Sequence, residues 1–110
     1  MGAWKLKRVM QCEKCPWRVE TDPHDIPNGY CETKHRALES TIAKPSDGFL
    51  GPVAAMACHE THDAHCLGWL MNQIGVGNNI GLRIQMMNCE NASKIRLKGE
   101  QHATFEDTLP

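Results

Sequence analysis

The 110-residue chain predicts a small α+β domain, with short strands and about three helices stapled by a four-cysteine metal site. Three observations carry that expectation. Cys12-x2-Cys15-Pro16-Trp17-Arg18 near the start is answered by Cys58-His59-x6-Cys66 past the middle. Apolar residues recur at three- and four-residue spacing in three stretches, while shorter segments alternate or run apolar. The third is size: with 41% hydrophobic residues and only three Trp, one Tyr and two Phe, the core is modest, so a metal joining distant segments can decide whether the chain folds. One domain is expected over residues 1–99, with 100–110 as a polar C-terminal tail that frays.

Taken in order, Trp4-Lys5-Leu6-Lys7-Arg8-Val9 partly alternates and predicts a short strand leading into the first cysteine pair. Cys12 and Cys15 then fall on a turn, where Pro16 fixes φ as the chain leaves a knuckle. Asp22-Pro23, Ile26-Pro27 and Asn28-Gly29 mark a loop. A helix is expected from about Tyr30 to Ala43, because Cys31, His35, Leu38 and Ile42 share one face, and Pro45 ends it. Val53 to Cys58 reads as a buried strand. Asp63 caps a second helix from about Ala64 to Ile74, with Cys66 in its first turn and Leu67, Leu70, Met71 and Ile74 on one face. Gly75 and Gly77 stop it. Asn79 caps a third helix, with Ile80, Ile84 and Met87 toward the core, and residues 94–98 alternate as a return strand.

Twelve Lys plus Arg against thirteen Asp plus Glu leave a net charge of −1, so no global field draws the chain to nucleic acid or to an acidic membrane. Locally, Lys5, Lys7, Arg8, Lys14 and Arg18 make the start basic, and Lys94, Arg96 and Lys98 form a second basic stretch. These either meet in space or form a solvated face. The opening residues lack the apolar run of a signal peptide, and Ala64 to Leu82, though free of charged residues other than His65, is too polar and glycine-broken to span a bilayer. A cytoplasmic protein is expected, with its cysteines reduced and serving as metal ligands and buried thiols.

Spacing alone admits two quartets of ligands: Cys12, Cys15, Cys58 and Cys66, or Cys12, Cys15, Cys31 and His35 with the last pair one helical turn apart. His59, His62 and His65 crowd the second cluster and could replace one thiolate. Four thiolates suit Zn2+, and equally an iron-sulfur cluster as the alternative cofactor. A zinc closed by four cysteines has no position for water, which argues against an enzyme.

Other catalytic patterns fail on order or spacing. The histidines of His59-Glu60-Thr61-His62 lie three apart, where a zincin helix needs four. Deaminases place His-x-Glu before Pro-Cys-x-x-Cys, the reverse of the order here. Cys31 beside His35, and Cys89, read as inert thiols rather than nucleophiles. Gly75-Val76-Gly77-Asn78 lacks the Lys of a phosphate loop.

The Cys12-to-Arg18 motif, together with Cys58-His59…Cys66-Leu67-Gly68-Trp69, resembles a family of small proteins frequent in bacteriophage and actinobacterial genomes. The likeness extends through Ile26-Pro27 and Gly77 to Arg83, over roughly residues 10 to 85. It implies Cys12, Cys15, Cys58 and Cys66 as the shared ligands and a phage origin, and it brings no activity with it. The expectation is a zinc-stabilised binding protein, a phage accessory in the host cytoplasm that engages a host or phage macromolecule and diverts a host process. Trp17 would pack over the metal site and Arg18 bond its sulfurs or a backbone carbonyl; alternatively the two form a contact surface, with Arg83, Lys94, Arg96 and Lys98 as further contact residues. The near-neutral charge favours a protein partner, while the local basic stretches admit nucleic acid. A redox iron-sulfur protein is the alternative.

Overall fold

The computed structural model describes residues 3–26, 30–44, 55–58 and 64–109. Its centre is a helix with almost no solvent face. Helix α2 (Leu67–Ile74) buries Leu67, Gly68, Trp69, Leu70 and Gln73, and the rest of the described chain wraps it. Cys66 is its N-cap rather than a member of its first turn. Asp63, the expected cap, lies outside the described residues.

The stretch expected as one helix over residues 30–43 divides. Helix α1 (Glu32–Ala37) passes into a tighter 3-10 turn, Leu38–Thr41. His35 and Thr41 are its buried positions, while Cys31 sits at the N-terminal boundary, exposed. The tightening lets the carbonyl of Thr41 accept from the Trp69 indole at 2.9 Å, tying this stretch to α2. Helix α3 (Ile80–Met86) starts as expected at Asn79, whose side chain accepts from the Leu82 amide. Its phase differs from the expected one: Leu82 is buried, whereas Ile84 and Met87 are 40% and 81% exposed.

The turn between α2 and α3 is closed by the Gly77 amide on the Asn72 carbonyl and the Asn79 amide on the Gln73 carbonyl, both at 2.8 Å. Gln73 organises the region from within. Fully buried, it accepts on Oε1 from the Ala43 amide at 2.9 Å and the Asn79 side chain at 3.3 Å.

The α+β expectation is overturned. Among the described residues there is no β-strand, only four isolated bridges: Trp4 to Cys89 and Met10 to Arg96 in parallel, Arg18 to Gln101 and Ala57 to His65 antiparallel. The reason is visible in the amide side chains. Asn91 accepts from the Leu6 amide at 2.9 Å and donates to the Leu6 carbonyl at 3.0 Å, and Gln11 Oε1 accepts from the Lys98 amide at 2.8 Å. Each substitutes a side chain for a strand partner, so backbone groups are satisfied without a ladder.

The four-cysteine metal staple expected as part of this fold is likewise corrected. Among the described residues no group of three or more His, Cys, Asp or Glu is arranged to hold a metal ion. The sulfurs engage one another and Arg8 instead.

The expected tail is also part of the fold up to residue 109. The Val19 amide donates to the Glu100 carbonyl at 3.0 Å and the His102 amide to the Trp17 carbonyl at 2.8 Å, while Phe105 and Thr108 are buried. The radius of gyration, 13.4 Å, is close to the ~13 Å expected of a folded chain this long. Among the described residues no helix is long and apolar enough to cross a membrane.

Candidate functional site

Two local structures deliver the cysteines to the core. Cys12 and Cys15 lie on consecutive turns, closed by the Cys15 amide on the Cys12 carbonyl at 3.3 Å and the Arg18 amide on the Cys15 carbonyl at 3.1 Å. On the other side the chain doubles back: the Cys58 amide donates to the Ala64 carbonyl at 2.8 Å, and the Cys66 amide to the Met56 carbonyl at 2.9 Å. Cys12, Cys15, Cys58 and Cys66 are all buried, in one cluster with Trp17, Leu67, Trp69 and Phe105.

The Sγ atoms of Cys15 and Cys66 stand 3.7 Å apart, from positions 51 residues distant in sequence. A disulfide needs about 2.05 Å, so this is a pair of free thiols. Hydrogen bonds from Cys12 first, and from Cys66 second, hold the Cys15 thiol well below its ordinary range, against the opposing effect of burial. The bond to Cys15 and burial push Cys66 the other way. The two thiols are therefore shifted in opposite directions by the same contact. Arg8 brings Nη1 to 3.7 Å from Cys58 Sγ and donates through Nε to the Met10 carbonyl at 2.7 Å.

The rival quartet is not brought together. Cys31 is exposed, and both ring nitrogens of His35 are engaged, Nδ1 with Tyr30 at 2.8 Å and Nε2 with Thr108 at 3.1 Å. His59 and His62 lie outside the described residues. His65 is half-buried between Trp4 and Trp69, with ring centroids at 5.7 and 6.4 Å.

Of the expected contact residues, Trp17 is buried under Phe105, and its indole N–H has no hydrogen-bond partner among the described residues. The Arg18 guanidinium is spent inside the chain, donating to the Lys98 carbonyl at 2.9 Å, the Glu13 carbonyl, and Glu20 at 3.1 Å. Arg83 is exposed on α3 and donates to Asn78 Oδ1 at 2.9 Å. Lys94 and Arg96 are exposed and Lys98 half-buried; Arg96 bridges to Met10, and the Lys98 amide donates to Gln11 Oε1.

Sequence reasoning missed Gln11, which is buried and pairs with the Gln101 side chain at 2.7 Å. A single polar residue beside a cysteine motif carries no signal of burial. It also missed Arg8 as a neighbour of sulfur, since the 50-residue separation hides that contact. No protein-family model, curated protein or solved structure matches the chain.

Proposed function

We propose that this chain is a small binding protein whose buried thiols take up Zn2+, and that its task is to engage a macromolecule rather than to turn over a substrate. The observation that carries the metal is the separation of Cys15 and Cys66. Two thiolates each 2.3 Å from a tetrahedral zinc stand roughly 3.8 Å apart, and these two sulfurs stand at 3.7 Å. Cys15 and Cys66 are the pair whose placement fits it, and the hydrogen bonds on Cys15 favour its thiolate form.

Three features support a binding role. The thiols are buried, the aromatic side chains beside them pack into the core, and the other functional groups nearby are engaged in holding the chain together. The motif resemblance supports a phage accessory acting in the host cytoplasm. The test is elemental analysis with an absorption spectrum on protein purified anaerobically. Zinc without visible absorbance, lost in Cys15→Ala and kept in Cys31→Ala, is the expected result. Iron with acid-labile sulfide would replace this reading with a cluster protein, and a folded protein that takes up no metal would overturn the cofactor.

A further inference from the structure

We infer that the outward face formed where residues 5–10 meet residues 94–98 is a docking surface for the phosphate backbone of a nucleic acid. This deepens the binding-protein reading above and rests on it.

The two segments are joined by the Arg96 amide donating to the Val9 carbonyl at 2.7 Å and the Gln11 amide to the Arg96 carbonyl at 2.9 Å. Side chains sort by face across that junction. Leu6 is buried and Val9, Ile95 and Leu97 pack against the core, whereas Lys5, Lys7, Met10, Lys94 and Arg96 are exposed. The fold thereby turns two basic stretches, far apart in sequence, into one surface.

The segments that form it are basic in sequence. Residues 3–14 and 88–100 together carry seven Lys or Arg against three Glu, leaving five Lys or Arg against ten Asp or Glu for the remainder of the chain. The net charge of −1 conceals this division. Lys5 is offset by Glu90 at 3.6 Å. Among the described residues no carboxylate pairs with Lys94, Arg96 or Lys98, and Arg96 spends Nη1 on the carbonyls of Ser93 and Ile95 at 3.2 and 2.9 Å, which leaves its charge uncompensated.

A protein partner would ordinarily be met by an aromatic or aliphatic centre. Here the exposed large hydrophobics are scattered: Met10, at 54%, lies on the surface itself, Val19 at 42% beside residue 100, and Val76, Ile84 and Met87 in the α2–α3 turn and on α3 and its end. A cationic surface of this kind matches a polyanion whose binding is driven by counterion release.

The test is fluorescence polarisation of the full chain with a single-stranded and a duplex oligonucleotide of roughly 20 residues, from about 50 to 200 mM salt. Saturable binding to either probe is expected. The variant Lys94→Gln/Arg96→Gln/Lys98→Gln should weaken it at least ~10-fold at the lower salt and reduce the log–log salt slope by about one per residue removed. Lys34→Gln, on the exposed side of α1, should leave binding unchanged. Because Arg96 also braces its own turn, Lys94→Gln/Lys98→Gln provides a second variant with that brace intact, expected to lower the slope by about two. Absence of saturable binding at the lower salt, or an unchanged affinity in variants that melt like the parent, would overturn the inference. A protein captured from lysate equally by parent and triple variant, with no oligonucleotide binding, would overturn it while leaving the binding-protein reading in place.

Discussion

Gly68 lies against the indole of Trp17: a Cβ added at Gly68 would stand 2.9 Å from Trp17 Cγ and would collide with Trp17 Cβ. The contact joins the Cys-Pro-Trp-Arg motif to the Cys-Leu-Gly-Trp motif. The bare backbone of α2 there lets Trp17 approach, and this holds the Cys12–Cys15 turns against the helix that Cys66 begins. Gly68→Ala gains helix propensity in the abstract but overpacks the junction. We expect a net loss of about 1–3 kcal/mol, read as a lower midpoint in denaturant with an unchanged slope.

The Gln73–Asn79 pair closes the α2–α3 turn. Asn79 is buried, caps α3 by accepting from the Leu82 amide at 3.1 Å, and donates to Gln73 Oε1. Asn79→Ala removes both bonds and should cost roughly 1–3 kcal/mol. Asn79→Asp keeps the cap acceptor but loses the donor to Gln73, and should fall between the two in thermal melts.

Phe105 anchors the C-terminal residues, edge-on to His35 at 5.7 Å and tilted against Trp17 at 6.4 Å. Phe105→Ala should therefore destabilise the whole domain, by about 3 kcal/mol or more, rather than loosen a tail. Hydrogen exchange would show this as faster exchange of α2 amides. Retention of full protection there would contradict it.

Burial between Trp4 and Trp69 holds the His65 pKa below its usual 6.5. The unfolded chain therefore binds a proton that the folded chain refuses, and stability falls as pH drops through and below 6.5. His65→Gln should shallow that decline. Comparing both proteins in chelator between about pH 7.5 and pH 5 isolates the imidazole, because the thiols are common to the two.

Much of the local structure was legible in the residues themselves. Asn79 declares the start of α3, and Gly75 with Gly77 declares the end of α2, because capping and chain reversal are governed by side-chain chemistry within a few residues. The spacing of Cys12 and Cys15 likewise announces tight turns ending in a buried thiol. The alternation at 4–9 and 94–98 predicted strands, whereas among the described residues these segments make only isolated bridges. Asn91 and Gln11 took the partners a sheet would have supplied, and an amide side chain advertises no such role in sequence.

Only the folded chain decided the remainder. His35, poised by spacing as a ligand beside Cys31, is held by Tyr30 and Thr108. Trp17 and Arg18, for which the residues admitted both a structural role beside the cysteines and a contact surface, take the structural one: Trp17 packs in the core and Arg18 donates to backbone carbonyls. The placement of Cys15 against Cys66, and of Arg96 beside Val9, rests on contacts spanning 51 and 87 residues. Local chemistry dictates turns and caps, whereas long-range contacts depend on how all apolar faces share one small interior, and no window of sequence contains that competition.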